Sequence, residues 1–322
     1  MSRWKIAAAL AALVLVGLYL LNASWLAPAP EGELRLIAHR GVAQQFGREG
    51  LGRQDCAATR IRSPEHPYIE NTIPSMRRAF ELGAHAVELD VAPTSDNRTA
   101  VFHDWTLDCR TDGRGEIRDH RLAELKALDV GYGYTADGGR NFPLRGRGVG
   151  MMPTVEEVLR AFRDRHLVFN FKSHDPREAD LLLAAFARAG AEVTDRHSFY
   201  GHPAIMAAVR QRVPAAWTYS KQQAKACGVD YLLYGWTGIV PESCRDTTIA
   251  IPLNYRWIVW GWPNRFLDRM AGANTKVILF GDFVDGNMAL IERPEQLAEI
   301  PDGYRGYLWV EDMHRIGPAL NQ

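Results

Sequence analysis

Strand-like and helix-like segments alternate through the body of this 322-residue chain, and no stretch of it repeats. Three short apolar runs early in that body carry charge at or near their ends: Ile37-Ala38 runs into His39-Arg40-Gly41, Val87 to Val91 contains Glu88 and Asp90, and Val101-Phe102 runs into His103-Asp104. The length is ordinary for one α/β barrel. Together these observations predict an α/β protein of the (β/α)8 TIM barrel class, preceded by one N-terminal transmembrane or signal helix. Alternation over the whole body favours a closed parallel barrel over an open sheet.

The N-terminal segment comes first. After Arg3 and Lys5, the run from Ile6 to Leu21 is apolar or small throughout, and Trp25-Leu26 follow where a far interface would lie. An uncleaved anchor and a cleaved signal peptide both begin this way. Pro28 and Pro30 interrupt the small-residue cleavage pattern and leave Leu21-Asn22-Ala23 as the best site, which favours the anchor. Residues 1–30 are then anchor and linker, and residues 31–322 the folded domain. The cationic end predicts a single pass through the inner (cytoplasmic) membrane, with the catalytic domain on the periplasmic or extracellular side. The four cysteines, none in C-x-x-C spacing, fit an exported body with two disulfides, 56 with 109 and 227 with 244. Two other pairings, and buried free thiols, remain open.

Nearly half the residues are hydrophobic, enough for a sizeable core, and 38 basic side chains balance 38 acidic ones without a Lys/Arg block. That balance excludes a nucleic-acid footprint.

Along the body, a strand at Leu34 to Ala38 ends at His39-Arg40-Gly41. A polar, Gly- and Arg-rich excursion from Val42 to Pro67 carries Cys56, and a loop this long reads as a lid or substrate loop. Ile73, Met76, Ala79 and Phe80 follow helical spacing, with Asn71 or Thr72 as N-cap, Pro74 in the first turn and Gly83 as the stop. Ala86 to Val91 is a strand that puts Glu88 and Asp90 on one face. Ala100 to Phe102 is a further strand, and Gly131 to Gly150 a second rim loop. Thr154 to Glu157 is a capping box, and Leu167 to Lys172 is a strand with Asn170 and Lys172 on one face. A helix spans about Arg177 to Ala189. Strand-like runs then follow at Ser198 to His202, Ala215 to Ser220, Tyr231 to Tyr234, Ile249 to Trp262, Lys276 to Phe283 and Gly306 to Val310.

Two carboxylates on a buried strand need a cation or bases beside them. Glu88 and Asp90 are therefore candidate ligands for Ca²⁺ or Mg²⁺, hard ions that prefer oxygen; salt bridges to arginines are the structural alternative. His39 and His103, at strand ends, are an acid/base pair for moving protons between oxygens. The planar fork of Arg40 suits a phosphate.

In this order, His39-Arg40-Gly41, Glu70-Asn71-Thr72, Glu88-x-Asp90, His103-Asp104 with Leu107, and a strand ending in Lys172 resemble the motif set of the glycerophosphodiester phosphodiesterases. The match is good from Leu34 to Lys172 and loose beyond. The resemblance implies metal-dependent hydrolysis of glycerophosphodiesters to glycerol 3-phosphate and an alcohol. It implies acid/base roles for His39 and His103, phosphate contact for Arg40, one divalent cation (Ca²⁺ or Mg²⁺) on Glu88 and Asp90, a phosphate-facing charge at Lys172, and Glu70 bonded to Arg40 or to the metal shell. In the family a hydroxyl of the glycerol is thought to attack phosphorus first. Two departures stand out: Asn170 occupies the place of the family's third metal carboxylate, and the 42–69 excursion is longer than the family's link. Among the later tryptophans, Trp309 is the candidate substrate contact. The partners expected are a small-molecule or lipid-derived phosphodiester and, through the N-terminal helix, the membrane. Alternatives are a phospholipase D-like enzyme acting on lyso- or phospholipids, and a non-catalytic phosphodiester-binding module.

Overall fold

The computed structural model describes residues 2–47, 50, 52 and 55–320; residues 48, 49, 51, 53 and 54 of the long excursion lie outside them. In chain order the elements are helix α1 (Arg3–Asn22), strand β1 (Arg35–His39), α2 (Ile73–Glu81), β2 (Ala86–Pro93), β3 (Thr99–Val101), α3 (Leu122–Leu125), α4 (Val155–Ala161) and β4 (His166–Phe171). They continue with α5 (Arg177–Ala189), β5 (His197–Tyr200), α6 (Pro203–Arg212), β6 (Trp217–Tyr219), α7 (Lys221–Tyr234), β7 (Thr248–Pro252) and α8 (Asn264–Gly272). The last are β8 (Lys276–Phe280), β9 (Phe283–Val284), β10 (Asn287–Met288), β11 (Tyr307–Val310) and α9 (Met313–Leu320). The chain divides into two bodies, one of Leu36–Ser220 with Val310–Gln322 and the other of Met1–Arg35 with Lys221–Trp309.

The first body is built on β1, β2, β4, β5 and β6, which pair parallel with one another. The second holds the parallel set of β7, β8 and β11. Eight parallel strands alternating with helices are the (β/α)8 barrel class that the alternation predicts.

Register in the first body brings the charged residues together. His39 pairs with Glu88 across β1 and β2, and Asp90 pairs with Asn170 across β2 and β4. Side chains alternate along a strand, so Glu88 and Asp90 share a face and Asn170 stands beside them. Every residue of β2 except Pro93 is buried, as expected of a parallel strand covered on both sides. Helix α2 starts where its signals place it, with Thr72 accepting from Ser75 N at 3.4 Å. Helix α4 opens with the Thr154–Glu157 capping box.

Three expectations are corrected. The Ala100 to Phe102 strand is β3, and it pairs antiparallel with β2 outside the parallel set. Only five residues separate the two strands, and a parallel crossover needs a dozen or more; Asn97 at φ 56° makes the turn. Tyr231 to Tyr234 is the last turn of α7 and not a strand, since a short apolar run carries no period of its own. The run from Ile249 to Trp262 is strand only to Pro252, after which Leu253–Ile258 coils into 3₁₀ turns.

Parts of the excursion after β1 pack into the first body. Phe46 bridges Ile61 antiparallel, and Ala58 and Ile61 join a core cluster with Phe102, Leu107, Leu125 and Tyr134. A disulfide ties Cys56 to Cys109, 53 residues away in sequence. By loop-closure entropy such a bond destabilises the unfolded chain by about 4 kcal/mol. The second expected bridge, Cys227–Cys244, fastens α7 in the other body.

Glu178, in the first turn of α5, is buried with Ser173 as its hydrogen-bond partner, and burial pushes its carboxyl up to about 7. A carboxyl raised on folding favours the fold when protonated, so that contribution is complete below pH ~4.5 and fades as pH rises through about 7. Denaturant unfolding should therefore show the Glu178→Gln variant gaining stability relative to the parent between pH 5 and 8, by up to about 3 kcal/mol. Parallel pH profiles for the two proteins would refute the assignment.

Candidate active site

Each of the two expected histidines is tied to a carboxylate through Nδ1. At the end of β1, His39 Nδ1 lies 3.0 Å from Glu311 Oε2, and its Nε2 lies 3.9 Å from Glu88 Oε2. His103, two residues past β3, has Nδ1 2.6 Å from Asp104 Oδ1. A carboxylate at Nδ1 keeps the proton on that nitrogen and leaves Nε2 for exchange with a ligand. Burial, helped by Arg40, pushes His103 down to about 4, so its ring is neutral at physiological pH. Burial alone would raise Asp104, but Arg110 and His103 overcome it and hold the carboxyl well below its ordinary range.

Between the histidines sits Asp90, with no exposed surface. Its Oδ2 accepts from Asn71 Nδ2 at 2.9 Å and pairs with Arg40 Nε at 3.1 Å. Its Oδ1 accepts from Asn170 Nδ2 at 2.9 Å and pairs with Lys172 Nζ at 3.5 Å. Asn71 also takes the Asp90 amide on its Oδ1 at 3.1 Å. Burial favours the neutral acid, but Lys172 and Arg40 prevail and keep Asp90 ionised far below its usual range. Glu88, fully buried and next to Asp90, moves the other way, up to about 6.

Arg40 is held in a strained pose. Its φ of 56° is left-handed, as is that of Asn71 at 58°, and Asn71 N donates to Arg40 O at 2.9 Å. Gly41 follows at φ 82°, where a Cβ would stand 2.6 Å from Ser75 Oγ and 2.8 Å from Met76 N. Only glycine fits there. Arg40 Nη1 donates to Glu70 Oε1 at 2.8 Å, the bond expected for Glu70. Arg110 closes the chain, donating to Glu70 Oε2 at 3.0 Å and to Asp104 Oδ2 at 2.9 Å. Through Arg110, the Arg40 anchor and the His103 dyad are one network.

Glu88 Oε1 and Asp90 Oδ1 both face Asn170 Nδ2, each at 2.9 Å. Turning that amide over would aim its oxygen at the same spot, giving two carboxylates and an amide oxygen, a donor set that suits a hard cation. Burial and the neighbouring Asp90 charge raise the Glu88 carboxyl against the pull of His39 and Arg40, so its charge is only partly compensated. Among the described residues no three His, Cys, Asp or Glu side chains are grouped to hold a metal. Two carboxylates and that amide oxygen would fit a divalent cation, with one charge fewer than three carboxylates would bring.

His39, Arg40, Glu70, Glu88, Asp90, His103, Asn170 and Lys172 all lie in the first body. Trp309 belongs to the second, buried and stacked on Phe280 with ring centroids 5.5 Å apart. Glu311, Asp104, Asn71 and Arg110 are site residues to which the sequence alone gave no part in the chemistry. Asp104 and Asn71 stand inside quoted motifs and Glu311 follows a strand, so position could have flagged them. Arg110 has no such signal.

Residues 39–230 match the glycerophosphoryl diester phosphodiesterase family. A glycerophosphodiester phosphodiesterase of Caldanaerobacter subterraneus subsp. tengcongensis is 38% identical over 105 residues, which is 32% of this chain and 39% of that protein. A glycerophosphodiester phosphodiesterase of Bacillus subtilis is 36% identical over 110 residues, 33% and 36% of the two chains. The chain thus spans under two fifths of the length of these relatives. Among solved structures, the phosphodiesterase of Oleispira antarctica in complex with the product sn-glycerol-3-phosphate aligns over 93% of this chain and 100% of its own, with TM-score 0.59 and 18% identity. A glycerophosphoryl diester phosphodiesterase domain from Mycobacterium tuberculosis aligns over 90% and 99%, with TM-score 0.62 and 16% identity. These likenesses agree with the (β/α)8 barrel class. More narrowly, the chain belongs to the glycerophosphoryl diester phosphodiesterase family, in which divalent-metal dependence is general.

If Glu311 sets the proton position and orientation of His39, Glu311→Gln should lower kcat by about 10-fold to 100-fold with little change in KM. An unchanged kcat would show that the His39–Glu311 contact is only structural.

Proposed function

We propose that this chain hydrolyses glycerophosphodiesters to glycerol 3-phosphate and an alcohol, with His39 and His103 as the acid/base pair. The observation that carries the reading is the placing of two histidine–carboxylate dyads around Arg40, Glu88 and Asp90. Family membership supports it, as does the product named for the Oleispira antarctica neighbour. In this reading His103, kept neutral by burial, takes the proton of the glycerol hydroxyl beside the ester as that oxygen bonds to phosphorus. His39 gives a proton to the departing alcohol as its P–O bond breaks. Water then opens the cyclic phosphate, with the two histidines exchanging roles. Arg40 and Lys172 hold the phosphate oxygens, and Glu70 holds Arg40.

A Ca²⁺ or Mg²⁺ ion on Glu88, Asp90 and Asn170 would supply charge neutralisation for the phosphate. Helix α1, 20 residues long with an 18-residue window of mean hydropathy 2.1 and no buried residue, is proposed as a single inner-membrane span. The body then lies on the periplasmic or extracellular side, where both disulfides persist. The same helix favours a second reading, in which the substrate is a lyso- or intact phospholipid of that bilayer.

Turnover of glycerophosphocholine and of lysophosphatidylcholine micelles, each with Ca²⁺, Mg²⁺ or EDTA, separates the readings. Glycerol 3-phosphate released from glycerophosphocholine supports the first, and product from micelles alone supports the second. A folded protein that releases none is a binding module. His39→Ala should lower kcat by about 10²-fold to 10⁴-fold, and full activity in that variant would overturn the acid/base assignment. Asn170→Glu should bind Ca²⁺ about 10-fold tighter or more by calorimetric titration, and equal affinities would remove Asn170 from the cation's shell.

A further inference from the structure

The end of α1 is bolted to the rest of the second body. Asn22 Nδ2 donates to Trp236 O at 2.8 Å, Arg269 donates to Asn22 Oδ1 and to Leu21 O at 3.0 Å each, and Asn264 N donates to Ser24 Oγ at 2.9 Å. Gly238 lies against the Leu21 side chain, where a Cβ would come within 3.1 to 3.3 Å of it. Arg269 also donates to Tyr231 Oη and Gly235 O. The last residue of the apolar helix is thus in direct contact with the turn that follows α7, with no flexible spacer between.

Around this joint the body exposes large apolar side chains. Leu233 is 58% exposed, Tyr234 57%, Trp236 42% and Ile239 65%, and on the helix side Trp25 is 67% and Leu26 45% exposed. Trp236 is held by its own indole, which donates to Leu233 O at 3.0 Å, and Trp260 is fastened alongside by its bond to Leu232 O at 2.9 Å. Contiguous exposed aromatic and aliphatic residues of this kind mark a surface with a partner.

We propose that this collar is a second membrane contact, seated in the interfacial layer of the bilayer that α1 enters. The inference rests on the reading of α1 as a membrane span. A helix of 20 residues rises about 30 Å, the thickness of the hydrocarbon core. Its far end, at Asn22, then lies at the opposite interface, and the residues bonded to Asn22 lie there too. Tryptophan and tyrosine favour that layer, where a ring meets acyl chain and headgroup together. The joint fixes the tilt of the second body, so the collar faces lipid as a rigid surface.

The test uses the full chain in phosphatidylethanolamine/phosphatidylglycerol vesicles, nitroxide-labelled singly at Leu13→Cys in the middle of α1, at Leu233→Cys or at Ile239→Cys. Collisions with oxygen and with a water-soluble nickel complex are compared at each site. The expected result is loss of nickel collisions at all three sites, deepest at Leu13, with Leu233 and Ile239 at interfacial depth. Immersion at Leu13 alone would overturn the collar and leave the span standing. Nickel access at all three would remove both. Spin–spin broadening at Ile239 would make a second copy of the chain the occupant and overturn the lipid assignment.

Discussion

The ionised, fully buried side chain of Asp90 is the charge around which the first body is arranged. Placing a carboxylate in a parallel strand with no exposed surface costs several kcal/mol unless it is surrounded by donors. The chain supplies them as four side chains from three separate places: Arg40 after β1, Asn71 before α2, and Asn170 and Lys172 at the end of β4. Each is also a residue that the proposed chemistry needs or one that holds such a residue. Binding function and folding therefore draw on one set of contacts, and a change at any of the four exposes a charge as well as removing a contact.

The backbone bears some of this cost. Arg40 and Asn71 both adopt left-handed φ values without being glycine, and each such residue stores about 1 to 3 kcal/mol. The hydrogen bond between their main chains, together with the two-point grip of Asn71 on Asp90, keeps them there. Glu70 and Arg110 then extend the order outward to Asp104 and His103. Preorganisation of this kind costs nothing further when a ligand arrives.

Much of this was legible in the sequence, because motif residues and strand register are both local signals. Glu88 and Asp90 two apart on a strand, and His39 at a strand end, need only the period of 2 to be placed. The segment 231–234 was misread because four apolar residues fit strand and helix alike; what decides for helix is the preceding ten residues of α7. The misplaced role of β3 has a similar origin, since alternation does not say whether a strand returns or crosses over. Arg110 was invisible for a different reason: its partners Glu70, Asp104 and Tyr134 come from three loops, and one sequence carries no record of a contact between loops.

The Cys56–Cys109 bridge has a consequence for biogenesis. Cys109 is the residue before Arg110, so the covalent link ends one peptide unit from the side chain that joins the two halves of the site. A newly made chain with free thiols keeps the segment from 104 to 110 on a longer leash, and the Arg110 clasp must then be found by diffusion alone. Oxidation shortens that search. Completion of the Arg110 network is in this way linked to oxidation of the Cys56–Cys109 pair.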